Sequence, residues 1–515
     1  MLRLCCVSLC LIIFFLTYQM GQAQTATCVT PHLDQMKDRL QHNQSMNWTT
    51  AQPEAIQYVP LKFHLVADDN GQNRIPDIQV LDMLCILNDT YEDQEIQFYF
   101  LDGTFNYIND TDIHQQPNSQ TNALKNHRIA NAINIFITES TGITGGAGYY
   151  QLPAGWNGND FIVVARSFAY NQNVLPHEIG HFFSLLHPFH GWENNPWNLS
   201  DWGSPVGTFA PSDPTLFPSD VLNERQDGSN CSTAADLICD TPPDYLFAQH
   251  PSQSGCNNWN IAVLDPANTL VDPMENNIMS YFNNCGSYIF TNGQKTAIVN
   301  DLLFSPDRSY VRSNYTPDLT LIEEVPTLVF PANGSAVPSA DQVVLSWIPV
   351  LTADFYVVEI DATPSFTSNL AQSKVVSASV PSAIFEQLAG NTQYFWRVRP
   401  FAEYVTCTGL SDRWSFTTPA STAVKELEAV EAMQMVPNPA STSSPLLLEL
   451  QAKDAFSARI HLYDWSGQLL YQSGDRRFVA ASQTYELPYI LSEPGMYILQ
   501  IQNEQGSSSR KFVRF

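Results

Sequence analysis

The chain has 515 residues and a formal net charge of −27, with 24 Lys and Arg against 51 Asp and Glu. That length predicts several domains rather than one. The shortage of cationic side chains argues against binding nucleic acid or an anionic membrane surface, and fits a highly soluble exported protein. Residues 1–23 open with Arg3, carry an apolar run from Leu9 to Leu16 and end in Gly21-Gln22-Ala23. This is the pattern of a secretory signal peptide, not of a membrane span. No comparable apolar stretch follows, so no transmembrane segment is expected in the mature chain. Cys5, Cys6 and Cys10 leave with the signal, and seven cysteines remain in a disulfide-permissive chain. An odd count leaves at least one outside any intramolecular bridge.

Residues 24–57 are polar and lack a strong apolar period, whereas Tyr58 to Val66 reads as a strand. Asp77 to Tyr91 reads as a helix, with Ile78, Leu81, Leu84, Cys85 and Leu87 largely on one face. Glu95 to Leu101 and Ala132 to Thr138 are β-rich runs, and His64 is expected to be a packed core histidine. Gly145 to Gly148 leads into Tyr149 to Pro153, an expected edge strand bordering a cleft. Asp160 to Ala165 reads as a buried strand. This order predicts a twisted α/β sheet over two helices.

Val174 to Trp192 carries the chemistry, reading V-L-P-H-E-I-G-H-F-F-S-L-L-H-P-F-H-G-W. His177 and His181 stand four residues apart, so on a helix their rings leave the same face. Two imidazoles so placed bind one zinc ion while Glu178 addresses the metal-bound water as general base. His187 follows six residues after His181 and completes three nitrogens, leaving the fourth zinc position open. An ordinary core helix accounts for Ile179, Phe182, Phe183, Leu185 and Leu186. It does not account for two histidines and a glutamate, which need partners when buried.

The stretch resembles the metzincin motif H-E-x-x-H-x-x-G-x-x-H, with Ser184 where that family has glycine. Glycine there lets the chain turn at positive φ, and serine is expected to cost ~1 kcal/mol. The family spacing selects His187 over His190 as the third ligand. Asn277-Ile278-Met279-Ser280-Tyr281 resembles the methionine turn of the pappalysin-like (cytophagalysin) branch. The resemblance implies Met279 as an apolar floor under the histidines and Tyr281 as a donor to the oxyanion. Asp240-Thr241-Pro242 and Phe290 to Gln294 match the same branch, and the likeness runs from Cys28 to Leu303. It also implies calcium at Asp236, the Cys239 carbonyl and Thr241, since oxygen donors suit that ion. Cys28-Val29-Thr30-Pro31 resembles a pro-segment whose thiolate fills the open zinc position until cleavage. Branch members that cleave before arginine carry an acid just past the methionine turn. Here that place falls on Asn283 or Asn284, depending on one gap, and is neutral either way, so broad cleavage without arginine preference is expected. The branch has two disulfides in the region of Cys231, Cys239, Cys256 and Cys285, but Cys239 is out of place against its pattern. The connectivity stays open.

From Trp192 to Gln294 the chain loses regular pattern, a long loop that the cysteines and calcium are expected to tie down. Pro317 and Pro326 flank Glu323-Glu324 at a domain boundary. Residues 325–419, with Trp347, Trp396, Trp414 and a tyrosine corner at Leu388 and Tyr394, resemble a fibronectin type III sandwich. Residues 420–431 read as a linker. Residues 432–515 carry Val436-Pro437-Asn438-Pro439, Tyr463 to Gly467, Pro494 to Tyr497 and the ending Lys511-Phe512-Val513-Arg514-Phe515. They resemble the C-terminal sorting domain of type IX secretion.

The expected chain is multidomain: signal peptide 1–23, pro-segment 24–57, and an α/β metzincin-like domain over 58–322 with a twisted mixed sheet and a zinc helix. Two all-β sandwich domains follow. The expected function is a zinc endopeptidase acting on proteins or peptides, made as a proenzyme and secreted or attached at the outer-membrane surface. The type IX machinery is its expected partner. The rival expectation is a secreted adhesin that binds peptide without cleaving it, and an intact Glu178 speaks against that.

Overall fold

The structure is a computed structural model. It describes residues 27–28, 30–46, 55–152, 158–211, 220–250, 255–256, 261–313, 315–318, 320–368, 370–420, 427–438, 440–441, 444–465, 468–489, 491, 493–503 and 505–514. Of Thr27 and Cys28 only the backbone is described, and the signal peptide and linker residues 421–426 lie outside these residues. The described residues fall into two compact units, each taken by itself below.

One unit is drawn from residues 1–54, 112–128 and 140–309. Strand Gly146–Gln151 pairs antiparallel with the fully buried strand Phe161–Ala165. Its other side is taken in parallel by Thr27–Cys28, with Cys28 opposite Gly148. The strand expected to be an open edge is therefore covered by the chain's own amino-terminal segment.

Residues 33–45 correct the expectation of an unpatterned segment, because Leu33–Ser45 is a helix. Its buried face is Leu33, Met36, Arg39, Leu40 and Asn43. Two of those five are polar, which is why no apolar period stands out. Arg39 pairs with Asp307 at 3.1 Å, and Asn43 donates to Asp301 at 2.6 Å. A second helix absent from the sequence reading, Asn292–Phe304, starts at a capping box. Thr291 accepts from the Gln294 backbone while the Gln294 side chain answers the Thr291 N–H. Just past that helix, Arg308 is buried among Asp301 at 2.8 Å, Asp160 at 3.2 Å and the Phe182 carbonyl. It thereby satisfies an orphan carbonyl at the end of the histidine helix, Val174–Phe182.

The irregular run after Trp192 is held by two bridges, Cys231–Cys239 and Cys256–Cys285. Trp192 stacks on Tyr245, and Trp197 meets Phe247 edge-on.

The second unit is drawn from residues 55–111, 129–139 and 310–515. Strand Gln57–Ala67 pairs in parallel with Ile96–Phe100, Asn106–Asn109 and Ile133–Thr138. His64 is fully buried, stacked on Phe136 and hydrogen-bonded to Asn134 and Asn106. It is a satisfied core histidine. Helix Asp77–Tyr91 buries Ile78, Leu81, Leu84 and Leu87. Cys85 on that helix is bridged to Cys407 across 322 residues of sequence.

Two sheets follow as a sandwich, ordered Ser382–Glu386, Gln342–Ile348, Thr327–Phe330 and Gln372–Ser377, Phe355–Asp361, Gln393–Phe401, Trp414–Thr417, Ser335–Ala336. Trp347, Tyr356, Tyr394, Trp396 and Phe416 fill its core. The Tyr394 hydroxyl accepts from the Ala389 N–H at 3.0 Å, which is the tyrosine corner. The last segment has its own two sheets and its own core, including Leu448, Ile460, Leu462, Leu499, Ile501 and Phe512. Arg514 in its final strand is buried, donating to the Ser444 and Leu491 carbonyls. Among the described residues no helix is long and apolar enough to cross a membrane.

Candidate functional site

The histidine helix begins at Val174 and presents His177, Glu178 and His181, all buried. It ends in a Schellman turn: Ser184 N–H bonds to the His181 carbonyl at 2.9 Å and Leu185 N–H to the Gly180 carbonyl at 3.0 Å. Ser184 sits at φ +69°, the left-handed position that glycine fills without strain. Its buried Oγ has no partner among the described residues. The turn sends the chain back so that His187 faces the helix.

His177, His181 and His187 then offer ligand nitrogens that all lie within 4.8 Å of one another. The Nε2 atoms of His181 and His187 are 3.1 Å apart. That of His177 is buried without a partner among the described residues. Each Nδ1 is engaged on the far side of its ring: His177 with the Ile278 carbonyl at 2.8 Å, His181 with the Leu185 carbonyl at 2.7 Å, His187 with Glu193 Oε1 at 3.2 Å. Nδ1–H donors on all three leave three Nε2 lone pairs converging, a donor set compatible with zinc. Burial, together with the neighbouring His187, pushes the His177 pKa down to about 3. His181 and His187 are lowered as well, first by burial. The rings are thus neutral, as ligands must be.

Met279 is fully buried, and a Cβ on Gly180 would stand 2.5 Å from its sulfur. Gly180, inside the two-histidine motif, is what lets the methionine turn close against the helix. Asn277 braces the turn from within, accepting from the Met279 N–H at 2.9 Å and donating to Gln294 at 2.9 Å. Ser280 donates to the buried Asp244 at 2.7 Å, and burial raises the Asp244 pKa to about 6. The Tyr281 hydroxyl lies 3.3 Å from His187 Nε2.

Glu178 lies against strand Gly146–Gln151, where a Cβ on Gly148 would stand 2.7 Å from its Oε1. Its other oxygen accepts from Thr30 Oγ1 at 3.3 Å, and Thr30 Oγ1 accepts in turn from the Tyr150 N–H at 3.0 Å. The backbone of Cys28 lies on this strand, while its side chain is outside the described residues. Asn283 is half-buried and Asn284 exposed, with the Asn284 amide donating to Asn283 Oδ1. His190 is buried beside Glu193 and is not one of the three clustered rings.

Asp236 is buried in the loop behind the Cys231–Cys239 bridge, and its Oδ1 accepts from the Ile238 N–H. Its Oδ2 has no partner among the described residues, nor has the buried Oε2 of Glu224. Burial, and then the charge of Asp236, pushes the Glu224 pKa to about 9; Asp236 is raised too, first by burial. Thr241 is buried and contacts Asp236. Glu224 and Glu193 were missed in the sequence: neither stands in a motif, and only the fold brings them to their partners.

Residues 434–514 match the family model described as "Secretion system C-terminal sorting domain". The tail is a sorting domain. It marks the chain as secreted or attached at the cell surface through the type IX machinery. A search among curated proteins finds no match. Among solved structures, a mutant of Tannerella forsythia promirolysin is 17% identical, covering 56% of this chain and 97% of that one at a TM-score of 0.37. The chicken CNTN1 FN1–FN3 domains are 12% identical over 38% of this chain and 68% of that one, at 0.18. An FN3 domain of human collagen XX is 22% identical over 20% of this chain and all of that one, at 0.16. Scores of this size decide neither fold nor function.

Proposed function

We propose that the protein is a zinc-dependent endopeptidase of the metzincin type, close to the pappalysin-like branch, secreted as a proenzyme. The observation that carries this reading is three buried, neutral imidazoles with converging Nε2 atoms beside a buried glutamate. Bound at His177, His181 and His187, zinc supplies Lewis acidity to the attacking water and the scissile carbonyl. Glu178 takes the proton from that water and returns it to the leaving amine. Tyr281, held close to His187, donates to the oxygen that gains charge in the transition state. Strand Gly146–Gln151 offers its backbone to an extended substrate once Thr27–Cys28 is gone.

Latency has support in the same place. Thr27–Cys28 occupies the strand and Thr30 holds the general base, so residues 24–57 block both substrate and proton transfer. The Cys28 thiolate as a fourth zinc ligand belongs to this proposal. So does calcium at Asp236, the Cys239 carbonyl and Thr241, and we add Glu224, whose charge interacts with that of Asp236. Two buried carboxylates, each with one oxygen unpartnered among the described residues, favour a proton or a cation. Residues 58–322 are the proposed catalytic region, and 325–419 a spacer without chemistry of its own.

A protein digest tests the reading. Chain freed of residues 24–57 should cleave a denatured proteome, stop when chelated and resume with zinc. Zinc-independent binding without cleavage would instead support the adhesin. The same digest reads specificity: with amides at Asn283 and Asn284, losing a charge-assisted contact worth ~2 kcal/mol, no dominant arginine should follow the cut.

A further inference from the structure

We propose that Glu193 is a positioning residue that fixes the third metal ligand, His187; the inference rests on the three-histidine cluster being a zinc site. His177 and His181 lie on a helix and are oriented by main-chain carbonyls, which no substitution removes. His187 has neither advantage. It lies past the left-handed Ser184, beyond the helix end, and its Nδ1 meets a side chain. Of the three ligands, it alone is oriented by a replaceable group.

The turn that brings Glu193 back beneath His187 is built for the purpose. His190 N–H bonds to the His187 carbonyl and Trp192 N–H to that of Phe189. Gly191 turns at φ +101°, and a Cβ there would stand 2.8 Å from the Ala210 Cβ. Trp192 is anchored through Nε1 to Asn223 at 2.7 Å and by stacking on Tyr245. Glu193 is delivered with both oxygens in use: Oε1 accepts from His187 Nδ1 at 3.2 Å and lies 3.4 Å from His190 Nδ1, while Oε2 accepts from the Gly191 N–H at 2.8 Å. Every neighbour is a donor, so only a group that accepts at both ends fits. Glutamine cannot: with its oxygen toward His187, its NH2 faces the Gly191 N–H, and flipping it confronts His187 with a donor. A carboxylate behind a ligating imidazole fixes the Nδ1–H tautomer and makes Nε2 the better donor to the metal.

Zinc affinity of the metal-free protein, measured by competition with a chromophoric chelator, tests this. Glu193→Gln should bind zinc ~10–100-fold more weakly than wild type. The amide leaves one buried donor unmet, so metal-free Glu193→Gln should melt a few degrees lower. The zinc affinities are compared at a temperature where both metal-free chains are fully folded, so that a loss of folded protein cannot account for the difference. Glu193→Asp keeps the charge and should recover part of the loss. If Glu193→Gln does not fold, Glu193→Asp decides, with a several-fold loss expected. Wild-type affinity in the folded variant overturns the role of Glu193 while leaving the zinc site standing. Failure of wild type itself to take up zinc overturns both.

Discussion

The histidine cluster and the Glu224–Asp236 pair are both buried groups, yet they meet burial in opposite ways. The histidines are neutral, and each spends its Nδ1 on a protein partner that orients its ring. The acids are only partly answered. Asp236 Oδ1 accepts from the Ile238 N–H, but Asp236 Oδ2 and Glu224 Oε2 have no partner among the described residues. Burial, with the charge of Asp236, favours the protonated form of Glu224. In the proposed reading one site is oriented for chemistry, and the other is a fastening whose strength would depend on the proton or cation it holds.

The largest effect that sharpens this contrast is on stability. Burial and the charge of Asp236 raise the Glu224 pKa in the folded chain above its ordinary value of 4.5, so between the two the folded state holds an extra proton. The contribution of this pair to metal-free stability is therefore full below about pH 4.5 and is lost as pH rises through the raised folded value. At the proposed site calcium would substitute for the proton. Melting curves should show calcium stabilising strongly at about pH 8, by about 2.7 kcal/mol at roughly 100 times its dissociation constant, and little at about pH 5. Equal stabilisation at both would remove the acid pair from the calcium site. Removing zinc should leave the fold largely intact.

A smaller effect concerns the clasp on Glu178. In the full chain, Thr30→Val should raise basal cleavage several-fold, since one hydrogen bond to a charged group is worth ~1.5–3 kcal/mol and part is recovered by water. Cys28→Ala should raise it further if the thiolate also blocks the metal. Equal latency of wild type and both variants would assign the block to bulk alone.

The smallest effect is at Ser184. Glycine removes the left-handed strain and the buried unpartnered hydroxyl, against its own greater unfolded entropy, for a net gain of ~1 kcal/mol. Urea unfolding measures it, and destabilisation would mean that Ser184 is bonded after all.

What the sequence made legible follows from locality. His177 and His181 are fixed by helical spacing, and the positive φ at position 184 by the turn that His187 requires. The helix Asp77–Tyr91 was legible because its buried face is apolar. The helix Leu33–Ser45 was not, because Arg39 and Asn43 are buried against Asp307 and Asp301, more than 250 positions away. The capping box Thr291 to Gln294 stands in the sequence as T-x-x-Q, but no amphipathic run follows it to mark a helix. Glu224 and Glu193 act through partners that only folding supplies.

The central claim is that Glu178 moves protons for a metal held by three histidines. Glu178→Gln, freed of residues 24–57, isolates it, because the amide keeps the shape and cannot take a proton. Measured side by side with wild type, zinc content should be unchanged at one ion per chain, while peptide cleavage falls by at least ~100-fold, the usual contribution of a general base. Undiminished cleavage at full zinc occupancy would contradict the account.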